Sequence, residues 1–177
     1  MSLNLEEYIA SYQDFPKEGI LFRDVTPIMK HPEAFKEVMR QFAEFARENN
    51  VNLIAGPESR GFIFGMPLAQ ELGVGFVPIR KPGKLPGELV SCKYDLEYGS
   101  NEIFMQKGSV EKGDRVLVVD DLLATGGTAK AAAKLIEELG GEVAGFAFVI
   151  ELFGNGMEGK KVLSDYKVCS LLSLSDQ

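Results

Sequence analysis

The 177 residues carry 26 Asp and Glu against 19 Lys and Arg, a formal net charge of −7, and no window gathers enough basic residues to track a nucleic-acid backbone. The two cysteines, Cys92 and Cys169, are far apart and lack metal-ligand spacing, which argues against a disulfide framework and a zinc site. The length fits one domain spanning 1–177, able to bury roughly two thirds of its unfolded surface. The first nine residues carry acids where a targeting peptide needs bases, and no apolar run is long enough to cross a bilayer. The expectation is a soluble cytoplasmic protein without a membrane partner.

In chain order, Leu3, Leu5, Tyr8, Ile9 and Tyr12 approximate helical spacing and predict a short amphipathic helix that Phe15-Pro16 breaks. Gly19 marks a turn, and Ile20 to Phe22 read as a short strand. His31-Pro32 opens a second helix whose Phe35, Val38, Met39, Phe42, Phe45 and Ala46 share one face. The lone histidine, His31, therefore has a helix-entry role. Asn52 to Ala55 read as a buried strand that delivers Gly56-Pro-Glu-Ser-Arg-Gly61, where small residues let backbone amides and the Arg60 guanidinium approach one anion together. Met66 to Leu72, closed by Gly73, is the following helix, and Val74 to Ile79 the next strand.

Arg80-Lys-Pro-Gly-Lys-Leu-Pro-Gly87 places three cations and four turn formers in eight positions, a stretch that cannot be regular structure. A surface this acidic repels polyphosphates, so a site for one has to collect its cations locally, and Arg80, Lys81 and Lys84 are such a collection. The segment of about 81–101 is predicted to be a lid that excludes water. Glu102 to Gln106 is a strand and Glu111 to Asp114 a turn.

Arg115-Val-Leu-Val-Val119 is an unalternating apolar run, the pattern of a strand buried on both faces of a parallel sheet. It ends in Asp120 and Asp121, at the rim where open α/β sheets bind ligands. Ala124-Thr-Gly-Gly-Thr128 follows, two hydroxyls and a run of free amides ahead of a helix from Ala129 to Leu139, a combination able to wrap a phosphate. The loop lacks the lysine of a triphosphate loop, and Gly-x-Gly-x-x-Gly is missing. Two acids before a monophosphate loop suit a ribose 5-phosphate, the carboxylates accepting from the 2- and 3-hydroxyls and the amides holding the phosphate. A plain βα turn with acids at the helix entry is the competing reading. Val143 to Ile150 is a further buried strand, Leu152 to Val162 a looser polar connection, Val168 to Leu174 a last strand, and the final three residues are expected to fray.

Val118-Val-Asp-Asp-Leu-Leu-Ala-Thr-Gly-Gly-Thr128 resembles the phosphoribosyl-pyrophosphate signature of the type I phosphoribosyltransferases. Phe15 to Asp24, Glu58 to Phe62, Arg80 to Pro86 and Leu96-Glu-Tyr-Gly99, in that order, resemble the adenine-specific branch of that family; the likeness runs from about Tyr12 to Leu172. The resemblance implies a mostly parallel twisted α/β sheet flanked by helices, with a small N-terminal hood (about 1–30) and a mobile lid. It implies that Leu21 and Arg23 read the adenine edge through backbone groups while Phe22 packs on its face. Glu58, Ser59 and Arg60, with Arg80, Lys81 and Lys84, would then hold pyrophosphate, a non-proline peptide between Glu58 and Ser59 often being strained in the family. Asp120, Asp121 and Ala124, Thr125, Gly126, Gly127 and Thr128 would hold the ribose and 5-phosphate. Glu97 matches an acid that takes or shares a proton of the base, and with Arg60 forms the catalytic pair; Tyr98 orders the lid or reaches a partner subunit. Ile103-Phe104-Met105 departs from the family's alternation.

The activity implied is purine salvage: magnesium-dependent transfer of the 5-phosphoribosyl group from phosphoribosyl pyrophosphate to N9 of adenine, giving AMP and pyrophosphate. Mg²⁺ would be bound mainly through substrate oxygens, with Asp120 and Asp121 one shell out. A homodimer is implied by resemblance alone. Two alternatives stand beside it: a non-catalytic sensor that retains the sugar pocket, and a transferase for a 6-oxopurine or pyrimidine.

Overall fold

The apolar run expected to be buried on both faces is the middle strand of a five-stranded parallel sheet in the computed structural model, which describes residues 3–96 and 99–177. In chain order the elements are a 3-10 turn (Leu5–Tyr8), β1 (Ala10–Gln13), β2 (Leu21–Asp24), α1 (Thr26–Lys30), α2 (Pro32–Glu48), β3 (Leu53–Pro57), α3 (Arg60–Leu72), β4 (Gly75–Ile79) and β5 (Leu89–Asp95). Then come β6 (Ser100–Gln106), β7 (Arg115–Leu123), α4 (Gly127–Glu138), β8 (Glu142–Phe153), α5 (Gly159–Val162) and β9 (Val168–Ser175). The sheet order is β4-β3-β7-β8-β9, with every pairing parallel. The chain builds outward from β3 to β4 and then crosses to β7 on the other side, so the order reverses between β3 and β7. Ligands of open parallel sheets bind at the carboxyl ends of the strands at such a reversal.

Side chains along a strand alternate between its two faces, and β7 shows why its run is apolar throughout. Leu117 and Val119 join Phe42 of α2 and Phe64 and Leu68 of α3 in one core layer, while Val116 and Val118 join Leu135 and Ile136 of α4 and Phe146 and Phe148 of β8 in the other. β5, inside the stretch of about 81–101 read as a lid, and β6, mostly beyond it, form a separate antiparallel hairpin in register from Leu89↔Gln106 to Asp95↔Ser100. The unalternating Ile103-Phe104-Met105 is explained by packing. Ile103 and Met105 enter the core beside α4, and the backbone of Phe104 exchanges two hydrogen bonds with Arg80 at 2.8 and 3.0 Å.

Four local expectations need correction. The helix predicted to run to Tyr12 is only the 3-10 turn, after which Ala10–Gln13 pair antiparallel with Leu21–Asp24; of Leu3 to Tyr12 only Leu5 is fully buried, so no apolar stripe sustains a helix. α3 starts at Arg60 and not Met66. Gly61, Gly65 and Pro67 are poor helix formers, but the two glycines let the helix lie close to its neighbours: a β-carbon at Gly61 would stand 2.9 Å from the Val119 carbonyl oxygen, and one at Gly65 2.6 Å from the Phe76 ring. β8 continues to Phe153, and within the supposed loose connection lies α5. The carboxyl terminus is tied down and not frayed, with the Asp176 amide donating to the Phe153 carbonyl at 2.9 Å. No helix among the described residues is long and apolar enough to cross a membrane.

Candidate active site

Strand alternation sends the two carboxylates at the end of β7 to opposite faces. Asp121 continues the Leu117 and Val119 face and is 7% exposed; there the first residue of α3, Arg60, donates Nε to its Oδ2 at 2.5 Å. Asp120 continues the Val116 and Val118 face, lines the cavities described below, and accepts the Asp121 amide at 2.8 Å. The twin aspartates therefore occupy two environments, one bonded to a guanidinium and one facing open space.

The Asp120 carboxyl is raised well above the usual carboxylate range, first by burial and then by the negative charge of Asp121, with Arg60 pulling the other way. Arg60 is held protonated chiefly by the charge of Asp121, with smaller help from Asp120 and from Asp24 at the end of β2.

Beyond β7, Ala124 to Thr128 wrap a cavity of about 120 Å³ that Pro57, Val118, Asp120 and Phe148 also line. Gly126 has φ +87°, and a β-carbon there would stand 3.0 Å from the Gly159 Cα; Gly159 in turn donates its amide to the Ala124 carbonyl at 2.9 Å. Glycine is thus required on both sides of the contact, and the loop is braced from behind by α5. The loop delivers its free amides at the amino end of α4, a twelve-residue helix whose dipole favours an anion.

A second cavity of about 230 Å³ shares Pro57, Asp120 and Thr128 with the first. Its other walls are Glu58, Ile79, Arg80, Lys81, Tyr94, Asn101, Glu102 and Ile103. Glu58 is an acid in a place meant for an anion, and its bonds account for it. Its Oε1 accepts from the Lys81 amide at 2.8 Å and from Arg80 Nε at 3.3 Å, so it fixes the two cationic residues; Arg80 also lies 5.7 Å from the centre of the Phe62 ring. The peptide between Glu58 and Ser59 is cis.

The Lys81 amide and Arg80 together hold the Glu58 carboxyl below the usual carboxylate range. A depressed folded-state value contributes stability that is fully present above the ordinary value of 4.5 and disappears as the pH falls through the depressed one. Glu58→Gln is accordingly expected to be less stable than the parent at pH 7, and denaturant titrations of the two should converge as the pH is lowered through the acid range.

Of the residues singled out from sequence, Asp120 and Ala124 to Thr128 meet at one cavity, and Glu58, Arg80 and Lys81 meet at the adjoining one. Arg60 lies behind them on Asp121. Lys84 is exposed and lines neither cavity, and the same holds for Ser59. Leu21, Phe22 and Arg23 sit on the separate β1–β2 hairpin, with the Phe22 ring meeting Phe15 edge-on at 5.2 Å. Glu97 and Tyr98 lie outside the described residues. His31 stands at the junction of α1 and α2, where its backbone opens α2 while its Nδ1 lies 2.7 Å from the Pro27 carbonyl of α1.

Sequence reasoning missed Tyr94. Its hydroxyl is 2.8 Å from Thr128 Oγ1, and its ring lies 3.1 Å from where a β-carbon of Gly127 would stand, so the β5–β6 hairpin closes directly onto the phosphate loop. The available signal was its place in the segment of about 81–101, three residues before Glu97.

The phosphoribosyl transferase domain model matches residues 24–176. An adenine phosphoribosyltransferase of Clostridium botulinum is 54% identical over 169 residues, covering 96% of this chain and 97% of its own length. Among solved structures, the adenine phosphoribosyltransferase of Thermoanaerobacter pseudethanolicus is similar with a TM-score of 0.90 at 49% identity, covering 96% of this chain and 99% of its own. That of Saccharomyces cerevisiae, solved with D-2,5-dideoxy-2,5-imino-altritol 1,6-bisphosphate and adenine, has a TM-score of 0.88 at 42% identity, covering 95% of this chain and 96% of its own.

Proposed function

The chain belongs to the adenine phosphoribosyltransferases of the phosphoribosyl transferase family, and on that premise we propose that it transfers the 5-phosphoribosyl group of phosphoribosyl pyrophosphate to N9 of adenine, giving AMP and pyrophosphate in purine salvage. The observation that carries this reading is the pair of joined cavities. One is floored by phosphate-binding amides and the other walled by Arg80 and Lys81, and they share Asp120 and Thr128. A sugar with a phosphate at one end and a pyrophosphate at the other spans two such compartments with its ring at the junction.

In this reading N9 bonds to the anomeric carbon as the carbon–oxygen bond to pyrophosphate breaks, and positive charge develops on the sugar ring between the two events. The 5-phosphate rests on the amides of Ala124 to Thr128, which fix the ring. Asp120 accepts from the ribose hydroxyls, while Asp121 acts through Arg60. Arg80, Lys81, the Glu58-Ser59-Arg60 turn and, after a lid movement, Lys84 receive the departing anion. The hairpin carrying Leu21, Phe22 and Arg23 is the adenine hood, β5–β6 with its tip is the lid, and residues 1–177 act as one catalytic domain. Glu97 takes the proton that N9 loses.

Magnesium fits the donor set in a limited way. Among the described residues no three carboxylates, histidines or cysteines cluster to hold a metal, whereas Asp120, Glu58 and Glu102 offer scattered hard oxygens along the cavity walls. An ion of this kind keeps most of its shell from water and phosphate oxygens, and it would neutralise charge on the pyrophosphate. Two exposed apolar side chains one turn apart on α3, Ile63 at 39% and Met66 at 47%, support a homodimer built across that face. The two free cysteines, Cys92 and Cys169, suit a reducing compartment and support a cytoplasmic location.

Offering adenine, hypoxanthine, guanine and xanthine in turn with phosphoribosyl pyrophosphate tests the reading: pyrophosphate release is expected with adenine alone, and preference for a 6-oxopurine or release with none would overturn it. Within the same site, Tyr94→Phe removes a hydroxyl that joins the lid to Thr128. It is expected to raise KM for phosphoribosyl pyrophosphate about three- to tenfold, the worth of one hydrogen bond, with kcat little changed; initial rates at varied sugar concentration check it.

A further inference from the structure

The β1–β2 hairpin touches the rest of the molecule sparingly, β1 being exposed along nearly its whole length. One side chain ties it across the fold. Arg23 on β2 donates from Nη1 to Ser11 Oγ on β1 at 2.9 Å and from Nη2 to the carbonyl of Ser175, the last residue of β9, also at 2.9 Å. Its Nε is buried and finds no hydrogen-bond partner among the described residues, while the bond to Ser11 is exposed and the one to Ser175 half-buried. The far end of this tie is itself secured. Asp176 donates its amide to the Phe153 carbonyl at 2.9 Å, joining the end of β9 to the end of β8, and Asn155 Nδ2 reaches the Asp176 carbonyl at 3.5 Å.

We propose that Arg23 is a positioning residue that clamps the hood to the carboxyl end of β9, so that the last residues of the chain set the geometry of the base pocket. This rests on reading the hairpin as the adenine hood, and it gives the Arg23 side chain a task separate from that of its backbone. The planar fork of a guanidinium reaches two acceptors on two elements at once, which an ammonium does not. Without the fork the hairpin keeps its own strand pairing but loses its fixed angle to the sheet. The base meets the hood, whereas the sugar phosphates meet α4 and the Arg80 turn, so a loosened hood weakens one substrate and not the other.

The test compares the full-length parent with Arg23→Met, Arg23→Lys and a chain ending at Leu174, which removes the Ser175 carbonyl without touching the hood. KM for adenine is expected to rise about tenfold in Arg23→Met and in the shortened chain and less in Arg23→Lys, while KM for phosphoribosyl pyrophosphate stays within about twofold. Amide hydrogen exchange over residues 10–24 is expected to accelerate in the same variants, whatever their activity. Unchanged adenine KM and unchanged exchange in both Arg23→Met and the shortened chain would overturn the clamp; so would equal rises in both KM values accompanied by a large fall in Tm. A parent enzyme that makes no AMP would overturn the functional reading, and the exchange result would still decide whether Arg23 holds the hairpin.

Discussion

Glu97→Ala is expected to lower kcat by about 10² to 10⁴, the range that a positioned general acid or base contributes. Neutral adenine carries a proton on one imidazole nitrogen, and a product bonded through N9 without added charge requires that proton to leave. The cationic groups along the cavity walls are not suited to take it, Glu58 is bonded to the Lys81 amide and Arg80, and Asp120 is assigned to the sugar hydroxyls. That leaves Glu102 on the wall and Glu97 on the lid as the carboxylates the substitution distinguishes. Glu97 follows Leu96, whose amide donates to the Gly99 carbonyl at 2.9 Å where β5 turns into β6. The hairpin closes onto the phosphate loop through Tyr94, whose hydroxyl is 2.8 Å from Thr128 Oγ1. Single-turnover rates check the assignment: the chemical step is expected to slow in Glu97→Ala while KM for phosphoribosyl pyrophosphate changes little, and a variant with near-normal turnover would leave Glu97 as a lid residue without proton chemistry.

Arg60→Ala is the second substitution with a large expected effect, because Arg60 holds Asp121 and is proposed to serve the chemistry as well. It joins the first turn of α3 to Asp121 at the end of β7, and Asp121 is almost wholly buried. Removing one partner of a buried ion pair leaves the other uncompensated, at a cost of several kcal/mol when both are enclosed. Arg60 is half exposed, with a side-chain accessibility of 48%, so water replaces part of the loss and about 1–3 kcal/mol is expected. Activity should fall further, about 10²- to 10³-fold in kcat/KM, as for the loss of a donor that stabilises developing negative charge. Arg60→Lys separates the two effects: it restores the charge opposite Asp121, and hence much of the stability, but not the planar guanidinium whose Nε meets that carboxylate. Denaturant midpoints and steady-state kinetics on the two variants check this, and equal kcat/KM for parent and Arg60→Ala would remove Arg60 from the reaction.

The fold and the phosphate loop were legible because each rests on local chemistry. An unalternating apolar strand, two acids and a glycine-rich turn before a helix follow one another in the sequence, and the order of the motifs carried the rest. Less legible were features set by contacts between distant segments. The opposite facing of Asp120 and Asp121 follows from strand alternation, yet two adjacent acids invite a shared role until the Arg60 contact across 61 residues is seen. The early start of α3 is hidden by Gly61, Gly65 and Pro67, whose propensities are overridden by close packing on β3 and β4. Tyr94 and Gly159 matter because of what they touch, and Ser175 to Gln177 are ordered by bonds to Arg23, Phe153 and Asn155 that no local pattern announces.

The most direct measurement is ³¹P NMR of the purified protein with adenine, phosphoribosyl pyrophosphate and magnesium. AMP and pyrophosphate are expected to grow one for one as the sugar pyrophosphate disappears, with no turnover when adenine is withheld. Sugar pyrophosphate that persists beside adenine, or that breaks down to ribose 5-phosphate and pyrophosphate at the same rate with and without the base, would contradict phosphoribosyl transfer.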